Sequence, residues 1–402
     1  MGFQPEIVTL VVDGHALQGW QAVAVSGAAS AAARSFNLRA SNPAWSADAK
    51  AVRRGKMVEI FTTPKTDDRE LGAFDESGSD LLCKGYADDY EVDSAPGSHE
   101  VSISGRSKAA DAIDCPPVKH KTGQVENKTL LEAAKEFDEW DIDFTSDIPL
   151  DKLPEMQLEP GESLFSGLER EARHQGVLLT GQPDGGVKIT RGGKKRHSGT
   201  LVHGEPPCKR WKLHCSIENK RSKVHVRGQR SLGVGEDALR QEETAEDESV
   251  KRHRPHVVHH EGDHVRKELK RRADWEMLRR SGSGIAISVK VATWRDEGGQ
   301  LWAPGNLVAV QWGAEEIDQD LAIKSVTFNQ GVGEGESEVG TWADLTLVDP
   351  RTLGAKGSGS GSGSGSGNGG GSKNSDLGAG LDDAQLDDAK IDYNAYSHTG
   401  HA

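Results

Sequence analysis

The chain is poor in the features that mark most specialised proteins. It has four cysteines in 402 residues, Cys83, Cys115, Cys208 and Cys215, and no CxxC pair. That is neither a disulfide framework nor a thiolate metal site, and it reads as reduced thiols in a cytosolic protein. Aromatic residues make up 5% and hydrophobic residues 35%, both lowered by a Gly/Ser-rich stretch near the C-terminus. No run approaches the roughly 18 apolar residues of a membrane helix. The opening MGFQPEIVTLVVDG has no basic n-region and no long apolar core, so no signal peptide is expected. Positive charge is also scarce: the net charge is −14. This argues against a dedicated nucleic-acid binder and for a soluble protein that resists non-specific association. GxSxG, P-loop, GxGxxG-before-helix and HExxH patterns are all missing. The lack of any concentrated catalytic signature is the main argument against an enzyme.

What is present is mostly strand. Glu6–Val12 is an apolar run closed by Asp13-Gly14, and Ser35–Ala40 alternates through Phe36 and Leu38. Met57–Phe61, Leu81–Val92 and His99–Ser104 continue the series. Many short strands at regular spacing predict an antiparallel barrel or sandwich. Beyond Gly105 the period changes. A helix is predicted over Asn127–Trp140, and a second after Pro160-Gly161, with Leu164, Phe165, Leu168 and Ala172 as its stripe and Gly176 as its stop. A hairpin turning at Asp184-Gly185-Gly186 completes a small α/β unit. Strands resume near Lys209, with Trp211, Leu213, Val224 and Val226 alternating against polar residues. Residues 235–255 read as charged and irregular. A basic helix over 263–280 follows, with Val265, Leu269, Ala273 and Met277 for docking on a sheet. Ile285–Val291, Leu307–Trp312, Leu321–Phe328 and Trp342–Val348 form a second all-β region.

The resulting organisation is α+β and mainly β. A β domain spans 1–108, an α/β insertion 109–204 and a second β domain 205–350. A Gly/Ser linker follows over 351–372, then an acidic tail over 373–402 with two LDDA copies at Leu381 and Leu386. The tail's composition predicts disorder, or a short peptide that orders on a partner.

Three clusters of charged or metal-ligating residues stand out as candidate sites. His256, His260 and His264 share an i,i+4 spacing that could present imidazoles for a metal on a helix. Against that, Pro255 and Gly262 interrupt a helix and Val257-Val258 reads as an edge strand, which favours a solvated segment. Lys251, Arg252, Arg254, Arg266, Lys267, Lys270, Arg271 and Arg272 form a basic patch with only Trp275 nearby for stacking. Here Glu242, Glu243, Glu246 and Glu248 offer counter-charge within the chain or between subunits, and a salt-linked structural face is expected. Asp138, Glu139, Asp141 and Asp143 are close in sequence, but glycosidase chemistry needs carboxylates held across a sugar. No catalytic residue and no cofactor are expected.

Three stretches carry a resemblance. They are VSISGRSKAADAIDC at Val101–Cys115, PGESLFSGLEREARHQGVLLTGQPDGGVKITR at Pro160–Arg191, and RADWEMLRR at Arg272–Arg280 with the Ile285 strand, Trp302-Ala303-Pro304-Gly305 and the strands up to Asp349-Pro350. Together they resemble the baseplate hub proteins of Mu-type contractile-tailed phages, which are related in shape to other myophage hubs and to type VI secretion spike proteins. The resemblance runs from about residue 5 to 350. It implies two tail-tube-like β-barrel domains flanking α/β insertions, and a homotrimer whose six barrels form a pseudo-sixfold adaptor. It further implies a structural, non-enzymatic role in the virion between tail tube and central spike, nucleating tube growth. Wedge and tape-measure proteins would be neighbours, assembly would take place in the host cytoplasm, and there would be no sequence-specific nucleic-acid binding. The competing readings are a peptidoglycan-degrading tail enzyme, and the hub of a bacteriocin, secretion or gene-transfer particle. The Gly/Ser tail departs from the family pattern.

Overall fold

The structure is a computed structural model, and it describes residues 5–41, 52, 55–65, 74–96, 98–229, 241–263, 266–332 and 339–354. The N-terminal region contributes β1 (Glu6–Val12), β2 (His15–Leu17), β3 (Ala22–Ala28), β4 (Ser35–Ala40), β5 (Met57–Pro64), β6 (Asp80–Ala95) and β7 (Ser98–Ser107). These pair antiparallel in the order β2-β1-β5-β6-β7-β4-β3. Strict alternation drives the packing. In β4, Phe36, Leu38 and Ala40 are buried while Ser35, Asn37 and Arg39 face out. β6 outruns β5: pairing with β5 ends at Met57–Tyr86, yet β6 continues against β7 as far as Ala95–Ser98.

A middle unit follows with α1 (Ala110–Asp114), β8 (Gln124–Thr129), α2 (Leu130–Phe137), β9 (Phe144–Ser146), β10 (Lys152–Gln157), α3 (Leu164–Gln175), β11 (Leu178–Gly181) and β12 (Val187–Thr190). The helix expected from Asn127 starts three residues later, because 127–129 still belong to β8, with Lys128 and Thr129 opposite Leu153 and Lys152. Thr129 then caps α2 in a reciprocal box with Glu132. Thr129→Ala is expected to cost about 1 kcal/mol of stability, read as a lower urea midpoint. α3 ends as expected at Gly176, which adopts φ 64° and closes the last turn. Phe137, Phe144, Leu130, Leu164 and Met156 fill this unit's own core.

The chain then forms β13 (Arg196–Val202), β14 (Cys208–Cys215), β15 (Lys223–Gln229), β16 (Gln241–Glu246), β17 (Pro255–Asp263), α4 (Arg266–Gly282), β18 (Ile285–Val291), β19 (Leu307–Trp312), β20 (Ile317–Val332) and β21 (Val339–Val348). β13 lies within the stretch read from sequence as part of the insertion, but it pairs parallel with β19 of the large sheet. The irregular stretch expected over 235–255 contains a strand, β16, which joins β15 and β17 in a three-stranded sheet. α4 covers that sheet with Leu269, Ala273 and Met277 against Val224, Val226 and Ala245. Val265, the first residue of the predicted stripe, lies outside the described residues.

One pairing unites the two β regions. β3 bonds antiparallel to β20, Val25 opposite Phe328 and Ser26 opposite Thr327. The result is a single 13-stranded sheet in which β14-β18-β21-β20 continues into β3-β4-β7-β6. One continuous hydrophobic cluster fills its inner face, from Val8 and Leu10 to Leu345 and Leu347.

Candidate assembly surfaces

The outer face of the joined sheet is lined mainly by polar and charged side chains. The register runs across strands as Lys290–Asp344–Thr327–Ser26–Ser35–Arg106. A parallel row runs Trp342–Asn329–Ala24–Asn37–Ser104–Asp89. Part of this face is a shallow open groove of about 320 Å³ bounded by Ser26, Asn37, Asp88, Ser104 and Arg106. Alternation explains it: each strand turns its Val, Ile, Leu or Phe side chains to the core and leaves mainly Ser, Thr, Asn, Ala and charged residues outside, with Trp342 half-buried at one end of the row.

Polar locks hold the β regions and the middle unit in place. Arg34 is buried and donates from Nη1 to the Leu82 carbonyl at 2.9 Å and from Nε to the Gly181 carbonyl at 3.3 Å. It thus fastens β11 to the N-terminal strands. Thr180 donates to the Ala29 carbonyl beside it. At Gly181 an added Cβ would stand 2.3 Å from the Ala32 carbonyl oxygen, so the close approach requires glycine. Arg295 links the two β regions through Glu6, Nε to Oε1 at 2.7 Å, and Asp80, Nη1 to Oδ2 at 2.6 Å.

A buried His–Asp pair has the look of a catalytic dyad. His197 Nδ1 lies 2.9 Å from Asp296 Oδ2, and both side chains are 1% exposed. The second ring nitrogen accepts the Ala303 backbone N–H at 3.1 Å. With Nε2 occupied in this way, the imidazole has no lone pair left to act as a general base. Trp302 packs edge-on against the ring at 4.9 Å. Burial pushes the Asp296 carboxyl up, but hydrogen bonds from His197 and from the Gln300 and Ser198 backbones outweigh it, leaving it below the ordinary range. A depressed folded value adds stability that is complete above the unfolded value near 3.8 and is lost as pH falls through the folded one. Asp296→Asn is therefore expected to lower stability at neutral pH and to flatten the acid limb of a stability–pH curve.

The sequence-predicted sites are dispersed. His256 and His260 sit on strand β17, not on a helix, so four residues separate them by about 13 Å. His264 lies outside the described residues. His256 Nε2 accepts from Arg280 at 2.7 Å, and burial and that guanidinium both lower its pKa. His260 is buried with its ring 4.3 Å from that of His174 on α3. Among the described residues no three His, Cys, Asp or Glu side chains have metal-binding spacing.

Among the described residues the basic helix forms ion pairs along its own length and with the middle unit. Arg271 pairs with Asp151, Lys270 with Asp274 and Arg272 with Glu276. Arg272 and Arg279 stand over the Trp275 ring at 5.3 and 4.6 Å. Glu242 and Glu246 instead pair across strands with Arg227 and Lys223. The carboxylates near residue 140 serve the backbone: Asp138 accepts from the N–H groups of Trp140 and Ile142, and Glu139 from that of Lys119. All four cysteines are free; burial pushes the Cys83 and Cys208 thiols up to about 12. Among the elements that sequence reasoning missed, β3 and β13 extend the large sheet, pairing with β4 and β20 and with β19.

This fold is that of phage tail proteins. It matches the 43 kDa tail protein of prophage MuSo2 from Shewanella oneidensis with TM-score 0.71 at 23% identity, over 87% of this chain and 99% of that one. A tail protein from Neisseria meningitidis MC58 matches with TM-score 0.70 at 20% identity, over the same shares. Within that class the resemblance is to the Mu-type baseplate hub proteins. Residues 109–191 match the family described as baseplate hub protein gp44-like, second domain. The chain is 26% identical over 336 residues to baseplate hub protein gp44 of Escherichia phage Mu, covering 80% of this chain and 83% of that protein.

Proposed function

We propose that this chain is the structural baseplate hub subunit of a Mu-like contractile tail. Three copies form an adaptor between the tail tube and the central spike, and the adaptor nucleates tube growth. The observation that carries this reading is the β3–β20 pairing, which makes one sheet from two β regions. Each region acts as one tube-like barrel, so a trimer presents six, matching a sixfold tube above and a threefold spike below. The mainly polar and charged outer face of the joined sheet is suited to a channel wall, since it offers little contiguous apolar surface to a passing substrate. The domains follow, with β13 moved into the second barrel: barrels at 1–108 and 196–354, the insertion at 109–195, and a tether over 355–402. The particle is a virion assembled in the host cytoplasm, with wedge and tape-measure proteins as further neighbours.

Native mass spectrometry of the full chain is expected to give a trimer that co-purifies with the tube and spike proteins of the same particle. A monomer that joins neither overturns the proposal. Removal of residues 357–402 is expected to leave the trimer intact.

A further inference from the structure

We infer that neighbouring copies join by strand addition, the outer edge of β14 in one copy pairing with the outer edge of the β6 extension in the next. The inference rests on the hub reading above. β14 ends the path of the 13-stranded sheet, and among the described residues it pairs only with β18. β6 beyond Ala87 pairs only with β7 among the described residues, because β5 has already ended. Both edges present a row of backbone donors and acceptors, the template that strand addition uses. They are of similar length: β14 spans Cys208–Cys215, and the β6 extension runs from Asp88 to Ala95.

The two faces of these edges match in chemistry as well. On β6 the side chains Asp89, Glu91 and Asp93 are exposed and share one face. On β14 the exposed Arg210, Lys212 and His214 share the face opposite Trp211 and Leu213, which pack on the core. Acidic and basic rows on one face of adjacent strands bring opposite charges within about 5 Å of each other. On the other face, Tyr90 and Val92 of β6 would meet Trp211 and Leu213. This accounts for Val92, which is 43% exposed in the isolated chain. The two edges belong to different β regions, so the contact is head-to-tail, and repeated it closes a ring.

The test uses the full chain in three measurements. Carbodiimide coupling is expected to give covalent trimers on denaturing gels, with joined peptides linking Lys209 or Lys212 to Asp89, Glu91 or Asp93. The pair Arg210→Glu with Lys212→Glu is expected to raise the dissociation constant about tenfold or more. Adding Glu91→Lys and Asp93→Lys to that variant is expected to restore it. A trimeric wild type with no such joined peptides, or with charge reversal that neither weakens nor restores association, overturns the inference and leaves the hub reading standing. A wild type that stays monomeric overturns both.

Discussion

Trp294→Ala is expected to cost about 3–5 kcal/mol of folding stability, one of the two largest effects anticipated for a single substitution in this chain. Trp294 is fully buried, and its ring lies 5.4 Å from that of Phe328. Its indole N–H is shared between the Asn329 carbonyl at 3.2 Å and the Trp342 carbonyl at 2.9 Å. Alanine therefore opens a cavity and also takes the donor away from the two carbonyl acceptors, Asn329 on β20 and Trp342 on β21. Trp294→Phe separates the two contributions: it keeps most of the volume and loses only the N–H, so its cost is expected to be about 1–3 kcal/mol. Urea unfolding of the wild type and both variants measures this. An alanine variant within about 1 kcal/mol of wild type would contradict the packing argument.

Arg295→Met is the second large effect, expected at about 3–5 kcal/mol. Glu6 is only 4% exposed, and its carboxylate is held by Arg295 and by the Thr62 hydroxyl at 2.7 Å. Without the guanidinium, a buried charge keeps one hydroxyl and little else. The cost arises from the stranded carboxylate more than from the lost attraction. Combining Glu6→Gln with Arg295→Met removes both charges, and the combination is expected to be more stable than Arg295→Met alone. If the costs of the single substitutions simply add, the pair is not acting as a unit. The same arginine reaches Asp80, so loss of this lock is expected to loosen the contact between the two β regions before either unfolds.

The periodic strands were legible because a half-buried strand writes its environment into its sequence. Phe36 and Leu38, or Ile287 and Val289, alternate with polar residues and are buried as the pattern requires. α3 announced itself through its stripe and through Gly176. β3 did not, because its outer face is Ala22, Ala24, Ser26 and Ala28, residues of low strand propensity. Its identity as a strand comes from β4 on one side and β20 on the other, which is tertiary information. β17 was legible in part: Val257-Val258 reads as an edge strand, and the segment lies at the edge of its sheet beside β15, so the i,i+4 histidine spacing presents no helical face. The fold also brings Asp151 to Arg271, a counter-charge 120 residues away that proximity in sequence does not suggest. The polar face of the sheet was latent in the alternation, but only the cross-strand register lines up Ser26 with Thr327.

The β3–β20 pairing also sets a timetable for synthesis. β3 leaves the ribosome with one edge satisfied by β4, while its other partner, β20, lies about 300 residues downstream, roughly 15–60 s later at bacterial elongation rates. Throughout that interval Val23 to Ala28 carry an open edge on a crowded polysome, where other nascent copies expose the same edge. The small residues that hid this strand from sequence reasoning are poor partners for mismatched pairing, since they offer little cross-strand contact to a wrong neighbour. Low strand propensity at β3 thus delays commitment until β20 arrives, and the C-terminal third of the chain decides when the N-terminal third is finished.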